Sequence, residues 1–210
     1  EIPLRLVGSG DVYKRQILEE LGLRFEAALG SINSGPVELL AGEPTAAEAE
    51  LRRDYEALDA IGERNYISTI AGLLAEALYR QARYDEADRY ASFCQDVAAP
   101  SDVYSQYLWR GIRGKLLARQ GQAAEGIALA ESGVAETRVS DDIGGQANAL
   151  IFLAEAHAEA AAVAAAAGDA AAIATHRRGL ILAAEEACRL FEAKGNTVAA
   201  GRASTLARTA

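Results

Sequence analysis

Methionine is absent from the 210 residues, and there are only one tryptophan, two histidines, two cysteines and four prolines. Each scarcity excludes something. Two cysteines, Cys94 and Cys188, cannot staple a disulfide scaffold, and each sits among small or apolar helical neighbours, so both read as buried, reduced thiols. Aromatic residues at 6% and an absence of strand-like alternation argue against a β-sandwich. Basic residues are outnumbered, 21 Lys and Arg against 30 Asp and Glu, for a net charge of −9. That field disfavours nucleic acid or an anionic membrane as the main partner. Apolar runs are short: the longest, Ala160 to Ala167, is bounded by Glu159 and Asp169, too short to span a bilayer. No basic segment followed by an apolar core opens the chain, so a secretory signal is not expected and a cytoplasmic location is.

What fills the sequence is alanine, 47 of 210 residues. Alanine has the best intrinsic helix propensity, and half the chain is hydrophobic, which points to an ordered all-α protein with a real core. The chain begins at Glu1 and not at Met, which reads as a piece of something longer. Residues 1–16 carry poor helix signals. Within them Asp11-Val-Tyr-Lys-Arg-Gln16 is similar to the translated adapter scars at the edges of metagenome-derived reading frames. These residues are read as a linker or artefact and set aside from functional reasoning.

From Ile17 onward helical periodicity dominates, with breakers at spaced intervals: Gly35-Pro36, Gly42, Gly62, Pro100, Gly121, Gly144-Gly145, Gly168 and Gly195-Asn196. Four of the breaks are self-similar. Gly42, Ala82, Gly121 and Gly168 each precede a short polar stretch and a small residue about five positions on: Ala47, Ala87, Gly126, and Ala172 or Ile173. This is the grammar of a repeated helical hairpin. A glycine or alanine reverses the chain, and a small residue lets the two helices approach closely. Hairpins are expected at about 17–62, 63–100, 101–140 and 143–195, with a C-terminal capping helix at 197–209. The fourth hairpin should be longest, with the alanine-rich 158–175 stretch giving little packing volume.

The pattern resembles tetratricopeptide repeats. The residues that carry the resemblance are Leu74, Ala75, Leu78 and Tyr79, then Ala82, Tyr84, Ala87, Ala91 and Pro100, and the order Trp109, Gly114, Leu117. The period of about 40 is longer than the 34 residues of that family. Four longer stretches, Val37 to Glu48, Tyr66 to Tyr79, Ala98 to Lys115 and Phe191 to Ala200, are similar to the C-terminal repeat regions of bacterial class III adenylate/guanylate cyclase–ATPase signalling proteins. Related regions end some ATPase-type transcriptional regulators. The resemblance implies a right-handed superhelical stack of about four hairpins and a non-catalytic interaction or regulatory role. It carries no catalytic residue onto this chain.

Chemistry-bearing motifs are scarce. There is no phosphate-binding glycine loop with a Lys-Ser/Thr ending, and no Gly-x-Ser-x-Gly elbow. Gly111-Ile-Arg-Gly114-Lys115 reads as a helix contact that needs small residues. His157 and His176 have no partner at metal-ligand spacing in the sequence, and Glu155 with Glu159 reads as an exposed acidic face. No catalytic, cofactor or metal residue is therefore expected. Counting from Ala75, Gly114 and Ala154, a concave face would carry Thr69, Glu76, Tyr79 and Arg80, then Leu108, Lys115 and Arg119, then Asn148, Ile151 and Glu155, with Gly72, Gly111 and Glu159 beside them. A face that is basic in its middle suits an acidic or C-terminal-carboxylate peptide, or an upstream domain of the same chain. The competing reading is a solvated surface of ordinary ion pairs. The alternatives in function are a sensor arm of a transcriptional regulator, a free-standing adaptor, an enzyme with a dispersed site, and an apolar groove for a small molecule.

Overall fold

Helices begin and end in this protein where the chain supplies caps and left-handed turns. A computed structural model describes residues 13–18 and 20–210, and it is all-helical, with no strand among the described residues. After a helical segment at 13–18 come α1 (Arg24–Ala27), α2 (Ser31–Ala41), α3 (Pro44–Ala60), α4 (Asn65–Arg80) and α5 (Tyr84–Val97). Then follow α6 (Val103–Arg119), α7 (Ala123–Thr137), α8 (Ile143–Ala167), α9 (Ala170–Ala193) and α10 (Thr197–Arg208). Pro44 opens α3, where its fixed φ suits the first helical position. Asp102, Asp169 and Asn196 cap α6, α9 and α10 by accepting hydrogen bonds from the amides of Ser105, Ala172 and Ala199.

The four self-similar breaks are the hairpin turns. Gly42, Gly121 and Gly168 have φ of +87°, +88° and +72°. The fourth, Ala82, takes the same left-handed conformation at φ +58°, although its Cβ makes that conformation costly. The helices therefore pair as α2–α3, α4–α5, α6–α7 and α8–α9, with α10 packed on α9. The chain divides after Ala98 into two compact units.

In the first unit α4 is the buried element, covered continuously from Ile67 to Leu78. Helix α3 sets Leu51 and Leu58 into that core. Second helices of consecutive hairpins meet along their sides. Arg52 Nη1 donates to Tyr90 Oη at 2.9 Å, and the Tyr55 ring stands edge-on to Tyr90 and Phe93 at 5.2 and 5.5 Å between centroids. First helices do likewise: Arg80 Nη1 donates to the Leu39 carbonyl at 2.9 Å. A buried carboxylate, Asp54, accepts from the Ser31 amide at 2.8 Å and lies 3.4 Å from Arg15. Burial raises its pKa, against the pull of that amide and of Arg15. Arg15 falls in the stretch that the sequence sets aside; residues 1–12 of that stretch lie outside the described residues.

In the second unit small residues control the spacing. Gly114 of α6 and Gly126 of α7 face each other so closely that a Cβ on Gly126 would lie 2.4 Å from the Gly114 carbonyl, and one on Gly114 2.7 Å from the Gly126 carbonyl. A cluster of Ala118, Ala130, Ala156 and Ala160 continues this seam into α8, with Ile127 and Leu153 packed against it. Gly111 holds the Phe152 ring, since a Cβ there would meet that side chain at 2.4 Å.

Helices α8 and α9 run 25 and 24 residues, against 17 and 15 for α6 and α7. The alanine-rich stretch is one continuous helix to Ala167, and most of its last turns are exposed. The expectation that no segment is long enough to cross a bilayer needs correction. By length and composition alone α8 qualifies, with a mean hydropathy of 1.5 over its best window. The apolar run was bounded at Glu159 and Asp169, but the helix extends back through Glu159 and Glu155 to Ile143. Here α8 packs on α6, α7 and α9, and both carboxylates meet cations of α6.

Candidate interaction face

The residues assigned to a concave face are distributed over both units. In the first, Thr69 and Glu76 are buried within α4. Glu76 accepts from Arg80 Nε at 2.7 Å, one helical turn on, so Arg80 links that carboxylate to the Leu39 carbonyl. Tyr79 is half-buried, its ring edge-on to Tyr84 at 5.4 Å. These side chains bind α4 to its neighbours more than they offer a surface.

In the second unit the expected residues do come together. Lys115 Nζ donates to Glu155 Oε2 at 2.8 Å and stands 4.7 Å from the centre of the Phe152 ring. One turn along both helices, Arg119 Nη1 donates to Glu159 Oε2 at 3.1 Å. Both rungs join residues 40 apart, so α6 and α8 run side by side in the same direction. That is the relation of first helices in consecutive hairpins.

The placement changes the electrostatics of the face. Lys115 is fully buried and Leu108 is buried too, so neither presents a side chain to a partner. The cause is packing. The long Lys115 stem fills the space beside Phe152, and its ammonium needs Glu155 because an uncompensated buried charge is expensive. Arg119 and Asn148 are exposed, and Ile151 and Glu155 are half-buried. The cations of the middle repeat are thus matched to acids of the next one, and the face is a ladder of paired charge.

A second polar cluster, invisible in the sequence, ties the first two hairpins. Glu48 of α3 accepts from Arg52 at 2.7 Å, from Gln81 at 2.9 Å and from Arg83 at 2.7 Å. Burial alone would raise its pKa, but these three donors outweigh it and hold the carboxyl below its ordinary value. Arg83 also holds Glu86 through two hydrogen bonds of 2.6 and 2.8 Å. An open pocket of about 340 Å³ lies against the α4–α5 turn, lined by Ala82, Arg83, Tyr84, Asp85, Glu86 and Arg89.

The sequence also gave no partner for the histidines, whereas the structure brings His157 and His176 together, Nδ1 to Nδ1 at 3.4 Å. Part of the signal was available: the two lie 11 and 8 residues from the turn at Gly168, so an antiparallel hairpin folded there brings them within about one helical turn of each other. Cys94 is buried in α5, and Cys188 is half-buried on α9.

Neither protein-family models nor curated proteins give a match to this chain.

Proposed function

We propose that this chain is a non-catalytic helical-repeat interaction module, of the tetratricopeptide-like kind, that holds a protein or peptide segment across the exposed side of α6 and α8. The observation that carries this reading is the pair of rungs Lys115–Glu155 and Arg119–Glu159, each joining residues 40 apart. Two rungs in one register are what a repeated hairpin geometry would give between first helices, which supports the repeat reading, and stacked hairpins present extended surfaces used for recognition. Arg119 and Asn148 supply exposed hydrogen-bonding groups there, with Ile151 as a half-buried apolar contact. Because the charge is internally matched, the partner favoured is one of mixed polarity and not a strongly acidic one. The resemblance of Val37 to Glu48, Tyr66 to Tyr79, Ala98 to Lys115 and Phe191 to Ala200 to cyclase–ATPase signalling proteins supports a regulatory arm, in which the partner is a domain of the same polypeptide.

The test is selection of a displayed random-peptide library on the full chain. Peptides that bind should lose about tenfold or more in affinity when Arg119→Gln or Asn148→Arg is introduced, with the thermal midpoint within a few degrees of the parent's, since loss of a largely exposed ion pair such as Arg119–Glu159 costs about 0–1 kcal/mol. Repeated selections without a binder, or binders indifferent to both Arg119→Gln and Asn148→Arg, would overturn the assignment.

A further inference from the structure

The two histidines of the chain come together on the long α8–α9 hairpin, and their contact is an odd one for a hydrogen bond. Nδ1 of His157 and Nδ1 of His176 are 3.4 Å apart, beyond the usual span for N–H donors. The ring centroids are 5.6 Å apart and the planes are inclined by 44°. A separation of 3.4 Å is instead close to the edge of a tetrahedron around Zn²⁺. Bonds of about 2.0–2.1 Å from zinc to imidazole nitrogen place two such nitrogens about 3.3–3.4 Å apart.

We propose that His157 and His176 are the protein ligands of a site for a borderline transition-metal ion, Zn²⁺ being the best fit, with the remaining positions left to water or to a partner's donors. One ligand is anchored. The Cε1–Nε2 side of the His157 ring packs against Gly179 of α9, where a Cβ would come within 2.4 Å of both atoms. His176 is the adjustable ligand: turning its ring about the Cβ–Cγ bond, a soft torsion, aims both lone pairs at one point off the Nδ1–Nδ1 line. Among the described residues no third His, Cys, Asp or Glu joins the pair. The site is therefore open, unlike the closed four-ligand arrangement of structural zinc. An imidazole pair also selects against Ca²⁺ and Mg²⁺, which prefer oxygen.

With only two histidines in the sequence, ring-proton NMR of the full chain reads the site directly. At pH 7.5, substoichiometric Co²⁺ should broaden both imidazole signals in parallel, and Zn²⁺ should reverse the effect. His157→Gln and His176→Gln should each weaken Co²⁺ binding at least about tenfold. The parent-chain experiment stands even where a variant folds poorly. Signals that respond separately, at different Co²⁺ concentrations, would show two unrelated imidazoles and overturn the proposal, as would no response from either. Binding that persists in both variants would place the metal elsewhere and equally refute it.

Discussion

Gly126→Ala sets two effects of opposite sign against each other. Within a helix alanine is favoured over glycine by up to about 1 kcal/mol, so at Gly126, in the first turn of α7, the change would stabilise an isolated helix. Here the added methyl would sit 2.4 Å from the Gly114 carbonyl and 2.8 Å from the Ala118 amide nitrogen. Both are backbone atoms, so no rotamer change relieves the clash, and α6 and α7 must move apart. Spreading that seam also loosens the alanine cluster beyond it, where small side chains leave no slack to refill. Overpacking of this kind costs about 1–3 kcal/mol, and a rigid backbone target puts the estimate toward the top of that range. After the helical gain is subtracted, a net loss of about 1–2 kcal/mol remains, about 2–8 °C in Tm for a chain of this length. Trp109, the single tryptophan, lies in α6 and is sequestered under Arg110 with its indole N–H on Gln106. Urea unfolding followed by its fluorescence therefore reports the unit being perturbed. A Gly126→Ala variant as stable as the parent, or more so, would refute the close approach of α6 and α7.

Three further outcomes follow from the packing. Lys115→Ala removes the stem beside Phe152 and strands Glu155, and should cost about 2–4 kcal/mol, whereas Lys115→Met, which keeps the volume, should recover most of that loss; equal losses in a urea series would show that Lys115 does not fill this space. Glu48→Gln should destabilise by about 1–2 kcal/mol at pH 7. Because the folded carboxyl titrates below its ordinary value, its contribution is fully present above the unfolded pKa of about 4.5 and fades as pH falls through the folded one. The gap between Glu48→Gln and parent should therefore close on acidification, and a gap that widens would contradict the hydrogen-bond assignment. Ala82→Gly should raise stability by about 0.5–1 kcal/mol, since relief of the left-handed strain exceeds the entropy lost by a more flexible unfolded chain; a thermal melt showing a loss would mean that the turn does not hold φ at +58°.

The turns and the small residues were legible because both are backbone demands that single residues announce. A glycine at Gly42, Gly121 or Gly168 marks a chain reversal, and Gly126 placed five residues after Gly121 marks a close approach. What was not legible is pairing across repeats. Lys115 and Arg119 look alike in the sequence, one turn apart on the same helix, yet one is sealed beside Phe152 and the other stands in solvent. The difference is set by the ring of α8, which no local pattern of α6 reveals. The basic middle of the face dissolved for the same reason: Glu155 and Glu159 read as a solvated stripe until α8 was laid alongside α6. Asp54 is a similar case, an acid on an amphipathic helix that turns inward to meet the Ser31 amide. The length of α8 was legible, because a hairpin over 143–195 that turns at Gly168 leaves 143–167 for its first helix; what Glu155 and Glu159 obscured is that the apolar character runs on through them.

The most direct test of the interaction-module reading is an amide chemical-shift map of the full chain saturated with a selected peptide. The largest shifts should cluster on α6 and α8, at Arg119, Asn148, Ile151 and Glu155 and their immediate neighbours, with little change on the opposite side of α8. Shifts centred on any other surface would contradict it.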